Sequence, residues 1–333
     1  MNSAELKKIF DSFNNLKVLI IGDLMLDVYY WGDVSRISPE APVPIVAVSK
    51  KESRMGGAGN VAINIQAMGA TPILCSVIGD DNNGEKLLKI LQDKKLSTEG
   101  ILTATDRPTT TKTRIISNNH HIVRIDDENE EYIGDAQTEA LLKKIEHFLK
   151  EGNINVIIFE DYDKGVISPL LIKKVVELAN KHGIPTVVDP KKKNFTEYRE
   201  VTLFKPNLKE LKEGLKVDVQ AGNIEQIEII TDTLRKGQQI AQVLVTLSEH
   251  GVFINSDKEK KLVPAHIRNI SDVSGAGDTV VSVAALCSAL HLAPSEIAFL
   301  SNLAGGQVCE KTGVVPVDKE QLLKEAQQYM NGK

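Results

Sequence analysis

The stretch that decides the fold is Ile270-Ser271-Asp272-Val273-Ser274-Gly275-Ala276-Gly277-Asp278-Thr279-Val280, which small and apolar residues continue as far as Leu290. Gly275 and Gly277 allow a tight turn, and the run after Asp278 has the composition of a helix. The loop therefore ends at a helix N-terminus, where free backbone N–H groups and the helix dipole favour a phosphate or an oxyanion. Asp278, an acid in the same place, is either a helix cap or a general base for an attacking hydroxyl.

The overall composition is that of a globular protein with a substantial core. The chain has 333 residues, of which 42% are hydrophobic, and its formal net charge is -5. A binder of polyanions would usually be basic, so we expect neither nucleic acid nor an anionic membrane surface as a partner. No segment is long and apolar enough to span a bilayer, and the N-terminus lacks the apolar core of a signal peptide.

The three cysteines, Cys75, Cys287 and Cys309, lie far apart in apolar surroundings and lack the spacing of metal ligands. This pattern favours buried, reduced thiols over a disulfide or a zinc site. Because reduced thiols are typical of a reducing compartment, we expect a cytoplasmic protein.

The main body of the chain alternates between apolar strands and helices. Lys17 to Gly22 has the pattern of a strand buried on both faces. From residue 135 onward helix and strand patterns follow one another, for example a helix at 169–182 and a strand at 185–189. Such alternation predicts an α/β fold with a doubly wound, mostly parallel sheet and helices on both faces. No break in composition divides the chain, so we expect one domain, 1–333.

Two segments, at about 28–54 and 107–126, depart from this alternation. The first mixes aromatic and β-branched residues with prolines, and the second alternates polar and apolar residues around Asn118-Asn119. The second pattern predicts a hairpin with asparagine at its turn. We expect the two segments to form a small second sheet outside the main one.

Basic residues on the predicted hairpin are candidates for binding a substrate anion. Lys112 and Arg114 are two residues apart and therefore share one strand face. Arg124 joins that face only if the hairpin loop has an odd length, which the sequence leaves open.

Polar residues collect where the predicted apolar strands end. They are Asp23 and Asp27, Asp80 and Asp81, Glu160 and Asp161, Asp189, Asn207 and Ser248. In an open parallel sheet, ligands bind beyond the carboxyl ends of the strands, so this distribution predicts one cleft at that edge. We expect about half of these residues to be ordinary helix caps or turn formers.

The glycine-rich stretch Gly57-Ala58-Gly59-Asn60-Val61-Ala62 matches the dinucleotide-binding pattern G-x-G-x-x-A. In a true fingerprint the glycines follow a strand by a tight turn, whereas here the charged residues 50–54 intervene. We therefore disfavour a dehydrogenase. Gly56, Gly57 and Asn60 are better suited to bind a small polyol close to the backbone, with the Asn60 amide giving direction.

The pair Asn207 and Glu210 follows another predicted strand and lies on one face of a helix start. By itself this spacing indicates a capping arrangement. Beside a phosphate site, Glu210 would instead hold the water shell of a Mg²⁺ ion, which takes few carboxylates. The sequence contains no P-loop and no protein-kinase catalytic loop.

Three motifs, in order along the chain, resemble the signatures of the ribokinase-like, PfkB-type carbohydrate kinases. They are Gly56-Gly57-Ala58-Gly59-Asn60, Asn207-Leu208-Lys209-Glu210 and Asp272-Val273-Ser274-Gly275-Ala276-Gly277-Asp278-Thr279. The resemblance covers nearly the whole chain and implies a ribokinase-like fold with a small β-sheet lid over the sugar. It also implies ATP and Mg²⁺ as cofactors, with a monovalent cation as an optional third ligand. Asp278 would be the catalytic base, and Gly275, Ala276 and Gly277 would form the anion hole.

Within this family, further stretches are similar to the D-glycero-β-D-manno-heptose-7-phosphate kinases. They lie at residues 22–27, 35–44, 161–165 and 188–191. The similarity implies phosphorylation of the anomeric hydroxyl of heptose 7-phosphate to the 1,7-bisphosphate, in ADP-heptose and lipopolysaccharide core synthesis. Two residues depart from the pattern: Ser274 stands where threonine is frequent, and Glu160 where serine is common.

Some members of this group carry a second, nucleotidyl-transferring domain with an H-x-G-H motif. This chain ends at Lys333 without that motif. We therefore expect a separate protein to activate the sugar phosphate.

The resemblance assigns expected roles to individual residues. The sugar-side candidates are Asp27, Gly56, Gly57, Asn60, Asp189 and Lys191, and the candidates for the distal phosphate are Arg36, Lys112, Arg114 and Lys164. The nucleotide-side candidates are Asn207, Glu210, Ser248, Gly251 and Asn302, with Glu210 also the metal-binding residue. Exposed lid strands could pair between chains, so we expect a homodimer.

Two other functions stay open at this point. One is a kinase of the same fold that acts on ribose, fructose phosphate or a nucleoside, against which the proline-bearing segment 35–44 argues. The other is a non-catalytic protein that binds a sugar phosphate, against which the intact glycine loop and Asp278 argue. Turnover with a panel of sugars distinguishes the three.

Overall fold

The structure is a computed structural model that describes residues 2–118, 120–151, 153–266 and 268–331. The strands are β1 (Lys17–Gly22), β2 (Leu24–Ile37), β3 (Pro44–Gly57), β4 (Thr71–Gly79), β5 (Ile101–Ala104), β6 (Thr111–Ser117), β7 (His120–Asp127), β8 (Val156–Glu160), β9 (Thr186–Asp189), β10 (Leu203–Phe204), β11 (Gln242–Thr246), β12 (Val252–Ser256) and β13 (Lys260–Val263). The helices are α1 (Ser3–Ser12), α2 (Ala58–Ala67), α3 (Asn82–Asp93), α4 (Asp135–Glu151), α5 (Pro169–His182), α6 (Leu208–Leu215), α7 (Ile224–Gln238), α8 (Ala276–Ala289), α9 (Pro294–Cys309) and α10 (Lys319–Asn331).

Within the described residues, the main sheet has nine strands in the order β13-β12-β11-β10-β9-β8-β1-β4-β5. The strands from β5 to β11 in this order are parallel, and β12 and β13 add an antiparallel edge. The chain passes from β1 to β4 on one side and later returns to β8 on the other. The strand order therefore reverses at β1, where open sheets of this kind bind ligands.

Helices cover both faces of the sheet because the side chains of each buried strand alternate between two cores. In β1, Val18 and Ile20 face a core shared with α2, α3, α8 and α9. Leu19 and Ile21 face the opposite core, shared with α4, α5, α6 and α7. The predicted doubly wound, mostly parallel sheet with helices on both faces is confirmed.

The second sheet contains β3, β2, β6 and β7 in that order, and we call it the lid. The first predicted lid segment, 28–54, corresponds to the longer strands β2 and β3. They extend towards the main sheet because Leu24 and Leu26, at the start of β2, are buried in the core below. The β2 strand is parallel to β6 and antiparallel to β3, so it forms the centre of the lid.

The β6–β7 hairpin decides which basic residues share a face. Its loop consists of Asn118, which has a φ of 49°, and Asn119, which lies outside the described residues. A two-residue loop alone would direct Arg124 away from Arg114. A register shift between Ile115 and Ile116 adds one residue to β7, so that Arg114 and Arg124 lie directly opposite each other. The question that the sequence left open is thus answered: Arg124 joins the face of Lys112 and Arg114.

The sequence predicted buried, reduced cysteines and no segment that spans a bilayer. Cys75, Cys287 and Cys309 are buried and unpaired, as predicted. Among the helices of the described residues, none combines the length and apolar character needed to cross a membrane.

Asp23, directly after β1, connects the first strand to the segment after β8. Its buried carboxylate accepts hydrogen bonds from three backbone N–H groups, those of Tyr162 (2.8 Å), Lys164 (3.1 Å) and Val166 (3.1 Å). This acid is therefore one of the strand-end residues that serve the fold, since it satisfies donors that the buried loop would otherwise leave unpaired.

We predict that Asp23→Asn lowers the free energy of unfolding by roughly 2–4 kcal/mol, because the amide accepts at one oxygen only and turns an NH₂ group towards N–H donors. Urea unfolding monitored by circular dichroism measures this loss. The matched control is Asp80→Asn, which follows β4 in the same way but is exposed. Equal midpoints for the two variants would contradict the anchoring role of Asp23.

Candidate active site

Three carboxylates converge at the carboxyl edge of the main sheet. The registers pair Gly22 with Glu160 and Glu160 with Asp189, so the ends of β8 and β9 place their acids side by side. Asp278, in the first turn of α8, faces them. One carboxylate oxygen from each of Glu160, Asp189 and Asp278 lies within 4.8 Å of the other two, and all three residues are buried.

Asp278 does not cap its own helix. The residue that precedes α8 is Gly275, whose φ of 78° favours glycine, and it makes no side-chain cap hydrogen bond. The Asp278 carboxylate instead accepts hydrogen bonds from the Asn60 amide (3.0 Å) and the Tyr162 hydroxyl (2.9 Å). Because these partners come from α2 and from the loop after β8, they orient the carboxylate at a point where three elements meet.

The surroundings of Asp278 adjust its proton affinity. Burial, followed by the negative charge of Asp189, raises the pKa of Asp278 to about 6. The hydrogen bonds from Tyr162 and Asn60 act in the opposite direction, because they favour the charged form. A carboxylate with this pKa is mostly ionised near neutral pH and is more basic than an exposed one, as a general base requires.

Two lysines offset the concentration of negative charge. The Lys205 ammonium, itself buried, lies 3.0 Å from Asp189, and the Lys191 ammonium lies 3.5 Å from the same residue and also pairs with Glu210. Burial opposes the charge on Lys191, but Asp189 and Glu210 outweigh it and raise its pKa. Asp189 therefore stays ionised, with its pKa lowered by Lys191 and Lys205 in spite of its burial.

Glu160 is the carboxylate that these lysines leave without a partner. The residue is fully buried, and neither of its carboxylate oxygens has a hydrogen-bond partner among the described residues. Burial and the nearby Asp189 and Asp278 raise its pKa well above the ordinary value. Its free oxygens, close to two other carboxylates, are of the kind that a hard divalent cation prefers as ligands.

Asn207 and Glu210 form a reciprocal capping box at the start of α6. The Asn207 side chain accepts from the Glu210 N–H, and Glu210 Oε2 accepts from the Asn207 N–H, both at 2.8 Å. The other carboxylate oxygen of Glu210 pairs with Lys191. The structure thus shows the capping arrangement and also brings Glu210, through Lys191, to the edge of the carboxylate cluster; its role as a metal-binding residue stays a prediction.

A cavity of about 400 Å³ lies beneath the lid and reaches Asn60, the partner of Asp278. We call it the lid cavity. Its lining residues are Asp27, Tyr29, Glu52, Ser53, Arg54, Met55, Asn60, Ile63, Asn64, Ile90, Lys94, Val314, Val315 and Pro316. The lining combines an apolar floor from α2 and the segment before α10 with polar groups from β2 and β3, which suits a polyol.

Two predicted sugar-side glycines hold the backbone close to other protein groups. A Cβ on Gly56 would clash with the Asp27 carboxylate, and a Cβ on Gly57, whose φ is 57°, would clash with the Asp23 carbonyl. These glycines therefore let β3 turn into α2 and bring Asn60 to Asp278. Contact with a sugar stays a prediction for both.

The basic residues predicted to bind the distal phosphate differ in their surroundings. Lys112 pairs with Asp126 and Glu128, and Lys164 pairs with Glu128 and Glu130. Arg114 lies 2.5 Å from Asp27. Arg36 is exposed at the far end of β2, opposite Ile45, and does not line the lid cavity.

The nucleotide-side candidates outside α6 meet at the antiparallel edge of the main sheet. Ser248 accepts a hydrogen bond from the Gly251 N–H, and Gly251, with a φ of 91°, packs against residues 263–265. Asn302 on α9 donates to the carbonyl of Pro264, in the same segment. The three residues thus lie around one segment that follows β13.

Three residues of this site received no role from the sequence: Tyr162, Lys205 and Glu160, of which Glu160 was named only among the strand-end residues and as a departure from the family pattern. Lys205 had a signal, because a lysine directly after an apolar strand and before Pro206 is unusual. Tyr162 lies in the segment 161–165, from which only Lys164 received a role. Nothing local distinguishes the tyrosine that touches Asp278, because its partner is 116 residues away in sequence.

The chain belongs to the pfkB family of carbohydrate kinases, whose profile matches residues 15–320. It is therefore a phosphotransferase that uses an alcohol group as acceptor. The resemblance to this family and its ribokinase-like fold, drawn from three sequence motifs, is confirmed.

The chain is similar to curated proteins along nearly its whole length. It is 36% identical over 328 residues to the bifunctional protein HldE of Citrifermentans bemidjiense, an alignment that covers 98% of this chain and 66% of the relative. The chain thus spans about two thirds of the length of the curated relatives that it matches.

Solved structures share the fold at low sequence identity. Phosphofructokinase-2 from Escherichia coli in complex with potassium superimposes with a TM-score of 0.77 at 17% identity, covering 95% of this chain and 99% of the other. Arabidopsis thaliana ribokinase complexed with ribose and ATP gives a TM-score of 0.71 at 17% identity, with coverages of 93% and 98%.

We predict that kcat/KM for the sugar decreases as the pH is lowered through about 6, the pKa of Asp278, because protonated Asp278 no longer accepts the hydroxyl proton. Asp189→Asn removes the nearest negative charge that raises this pKa, so the acid limb should move to lower pH. The pH–rate profile of each protein measures the shift. Asp135→Asn, an exposed acid in the first turn of α4, is the control and should leave the limb in place. An acid limb near pH 4 in the unaltered protein would contradict the assignment.

Proposed function

We propose that the protein transfers the terminal phosphoryl group of ATP to the anomeric hydroxyl of D-glycero-β-D-manno-heptose 7-phosphate, giving the 1,7-bisphosphate. The observation that carries this proposal is the Asp278 carboxylate, buried beside a glycine-bounded helix start and oriented by Asn60 and Tyr162. The similarity of residues 22–27 and 35–44 to heptose-phosphate kinases supports the choice of sugar.

The sugar would lie in the lid cavity with its anomeric end towards Asp278. Asp27 and Asn60 line this cavity and would orient the sugar hydroxyls, while Gly56 and Gly57 set their spacing. Asp189 and Lys191 would act from the opposite side, at the carboxylate cluster. Closure of the lid over the cavity would exclude water and so limit hydrolysis of ATP.

The proton transfer follows from the position of Asp278. As the anomeric oxygen attacks the terminal phosphorus, its proton passes to the Asp278 carboxylate, the new oxygen–phosphorus bond forms and the bond to ADP breaks. A positioned base of this kind contributes on the order of 10²–10⁴-fold to the rate. The amides of Gly275, Ala276 and Gly277, in the first turn of α8 or just before it, would stabilise charge on the transferring group.

The nucleotide would be bound by Asn207, Ser248, Gly251 and Asn302, and the solved ribokinase that holds ATP supports the choice of nucleotide. The carboxylate cluster fits the Mg²⁺ that accompanies ATP, since Glu160 offers two buried oxygens without partners. Glu160 and Asp189 would hold the ion together with the predicted Glu210. When bound, Mg²⁺ neutralises charge on the phosphates. A monovalent cation stays an optional third ligand, as the potassium in phosphofructokinase-2 illustrates.

The test is release of ADP by the purified protein with Mg-ATP and heptose 7-phosphate, beside ribose and fructose 6-phosphate. We expect turnover with the heptose phosphate and a loss of about 10²–10⁴-fold in kcat for Asp278→Asn, which cannot accept the proton. Asp135→Asn, the exposed helix-start acid, is the matched control and should keep full activity.

Each outcome separates one part of the proposal from the rest. Turnover with another sugar instead would support the kinase reaction but contradict heptose 7-phosphate as the substrate. Full activity of Asp278→Asn with unchanged affinity for ATP would contradict the assignment of Asp278 as the general base. Absence of ADP release with every sugar would favour a protein that binds sugar phosphates without catalysis.

We also propose that the protein is a homodimer joined through the lid. One lid face is apolar and lines a second cavity of about 560 Å³, and we call it the apolar lid face; its residues are Tyr30, Val43, Pro44, Val46, Val48, Ile115, Ile122 and Val123. Val43 is 51% exposed and Val123 is 44% exposed. Exposed apolar side chains on edge strands favour pairing with a second copy, because pairing buries the side chains and satisfies the strand edges.

We predict that Val123→Asp shifts the protein from dimer to monomer, because a carboxylate would be buried in the interface without a partner. Light scattering coupled to gel filtration at micromolar concentration measures the mass. Ile229→Asp is the matched control, since Ile229 is 66% exposed on α7 and lies outside the lid. A monomeric unaltered protein, or equal dissociation of the control, would count against the lid interface.

A further inference from the structure

We propose that Arg54 binds the non-reacting phosphate of a phosphorylated sugar, so that this residue selects sugar phosphates over plain sugars. The inference deepens the proposed function and rests on it. It concerns a residue of β3 to which the sequence motifs assign no role.

The lid cavity connects Arg54 to the reacting end of the site. Asn60, which donates to Asp278, lines this cavity, and so does Arg54. Among the described residues that line the cavity, Arg54 and Lys94 are the two with cationic side chains. A sugar placed with one hydroxyl at Asp278 therefore extends into a cavity that contains a guanidinium.

The guanidinium of Arg54 has neighbours on two sides, and its side chain is 40% exposed. It lies over the ring of Tyr29, 5.4 Å from the ring centre, and Arg114 lies 5.2 Å from the same centre. Glu52 accepts from the Arg54 Nε at 2.5 Å. A guanidinium restrained by these two contacts loses less entropy when it binds an anion than an unrestrained one does.

The terminal nitrogens of Arg54 are available to a ligand. Among the described residues, its hydrogen bond to Glu52 uses Nε and leaves both Nη atoms without a partner. Their N–H groups can donate two parallel hydrogen bonds to a phosphate, the geometry in which arginine binds phosphates most strongly.

Three lysines near the site are more fully neutralised by the protein itself than Arg54 is. Lys112, Lys164 and Lys191 each pair with two carboxylates. Arg54 has one, that of Glu52, which Lys50 shares at 3.0 Å. A phosphate dianion therefore meets less competition and less repulsion at Arg54 than at these lysines.

The experiment compares one sugar with and without its phosphate, using Arg54→Gln and unaltered protein. We expect Arg54→Gln to lower kcat/KM for heptose 7-phosphate by about 10- to 100-fold, the equivalent of one lost charge-assisted contact. Most of the loss should appear in KM, and kcat/KM for unphosphorylated heptose should not change. Arg54→Lys should restore part of the affinity, because it keeps the charge without the two-pronged geometry.

Lys50→Gln is the matched control. Lys50 carries the same charge and pairs with the same Glu52, but it lies over the Trp31 ring and does not line the lid cavity. We expect this variant to behave like the unaltered protein. Equal losses for Lys50→Gln and Arg54→Gln would overturn the inference, as would an equal loss on the phosphorylated and plain sugars.

Calorimetric titration separates this inference from the choice of substrate, since it needs no turnover. Fructose 6-phosphate and fructose serve as the second pair of ligands. If only the fructose pair shows a preference for the phosphate that depends on Arg54, the role of Arg54 is supported and the choice of heptose 7-phosphate as substrate is contradicted. If the unaltered protein binds neither phosphorylated sugar more tightly than its plain form, the inference is overturned.

Discussion

Two ammonium groups, that of the buried Lys205 and that of the partly buried Lys191, hold together the carboxylates on which the site depends. Without them, Asp189 would face Glu160 and Asp278 at close range in a buried place, where like charges cannot all stay ionised. With them, Asp189 stays charged, and burial together with the negative charge of Asp189 raises the pKa of Asp278 to about 6. The base therefore owes its proton affinity to burial and to ion pairs formed by other strands, as well as to its own position on α8.

The alternation of side chains along each strand gives the lid one charged face and one apolar face. Along β6, Lys112 and Arg114 point to one face and Ile115 to the other, because side chains alternate along a strand. The charged face meets the carboxylates Asp27, Asp126 and Glu128, while the apolar face is left exposed. The register shift in β7 keeps Arg124 on the charged face, so a single added residue maintains the separation of the two surfaces.

Most elements could be predicted from the sequence, because long apolar runs and capped helices carry strong local signals. Helix α5 begins and ends at the predicted residues, where Ser168 caps its start and Gly183 its end. The short strands β5 and β13 were not predicted, since four residues contain too little periodicity. Helix α7 was also missed although its signal was present: Asn223 caps it, and Ile227, Thr231 and Leu234 form a buried stripe.

The sequence by itself determined most of the order of strands and helices, the family, and the helix start that carries Asp278. Only the tertiary structure decided which strand-end acids serve chemistry and which serve the fold. Asp23 accepts three backbone N–H groups, whereas Glu160, Asp189 and Asp278 meet in one cluster. The physical reason is that hydrogen bonds and charges act through space: Asn60 and Asp278 are 218 residues apart in sequence and 3.0 Å apart in the fold.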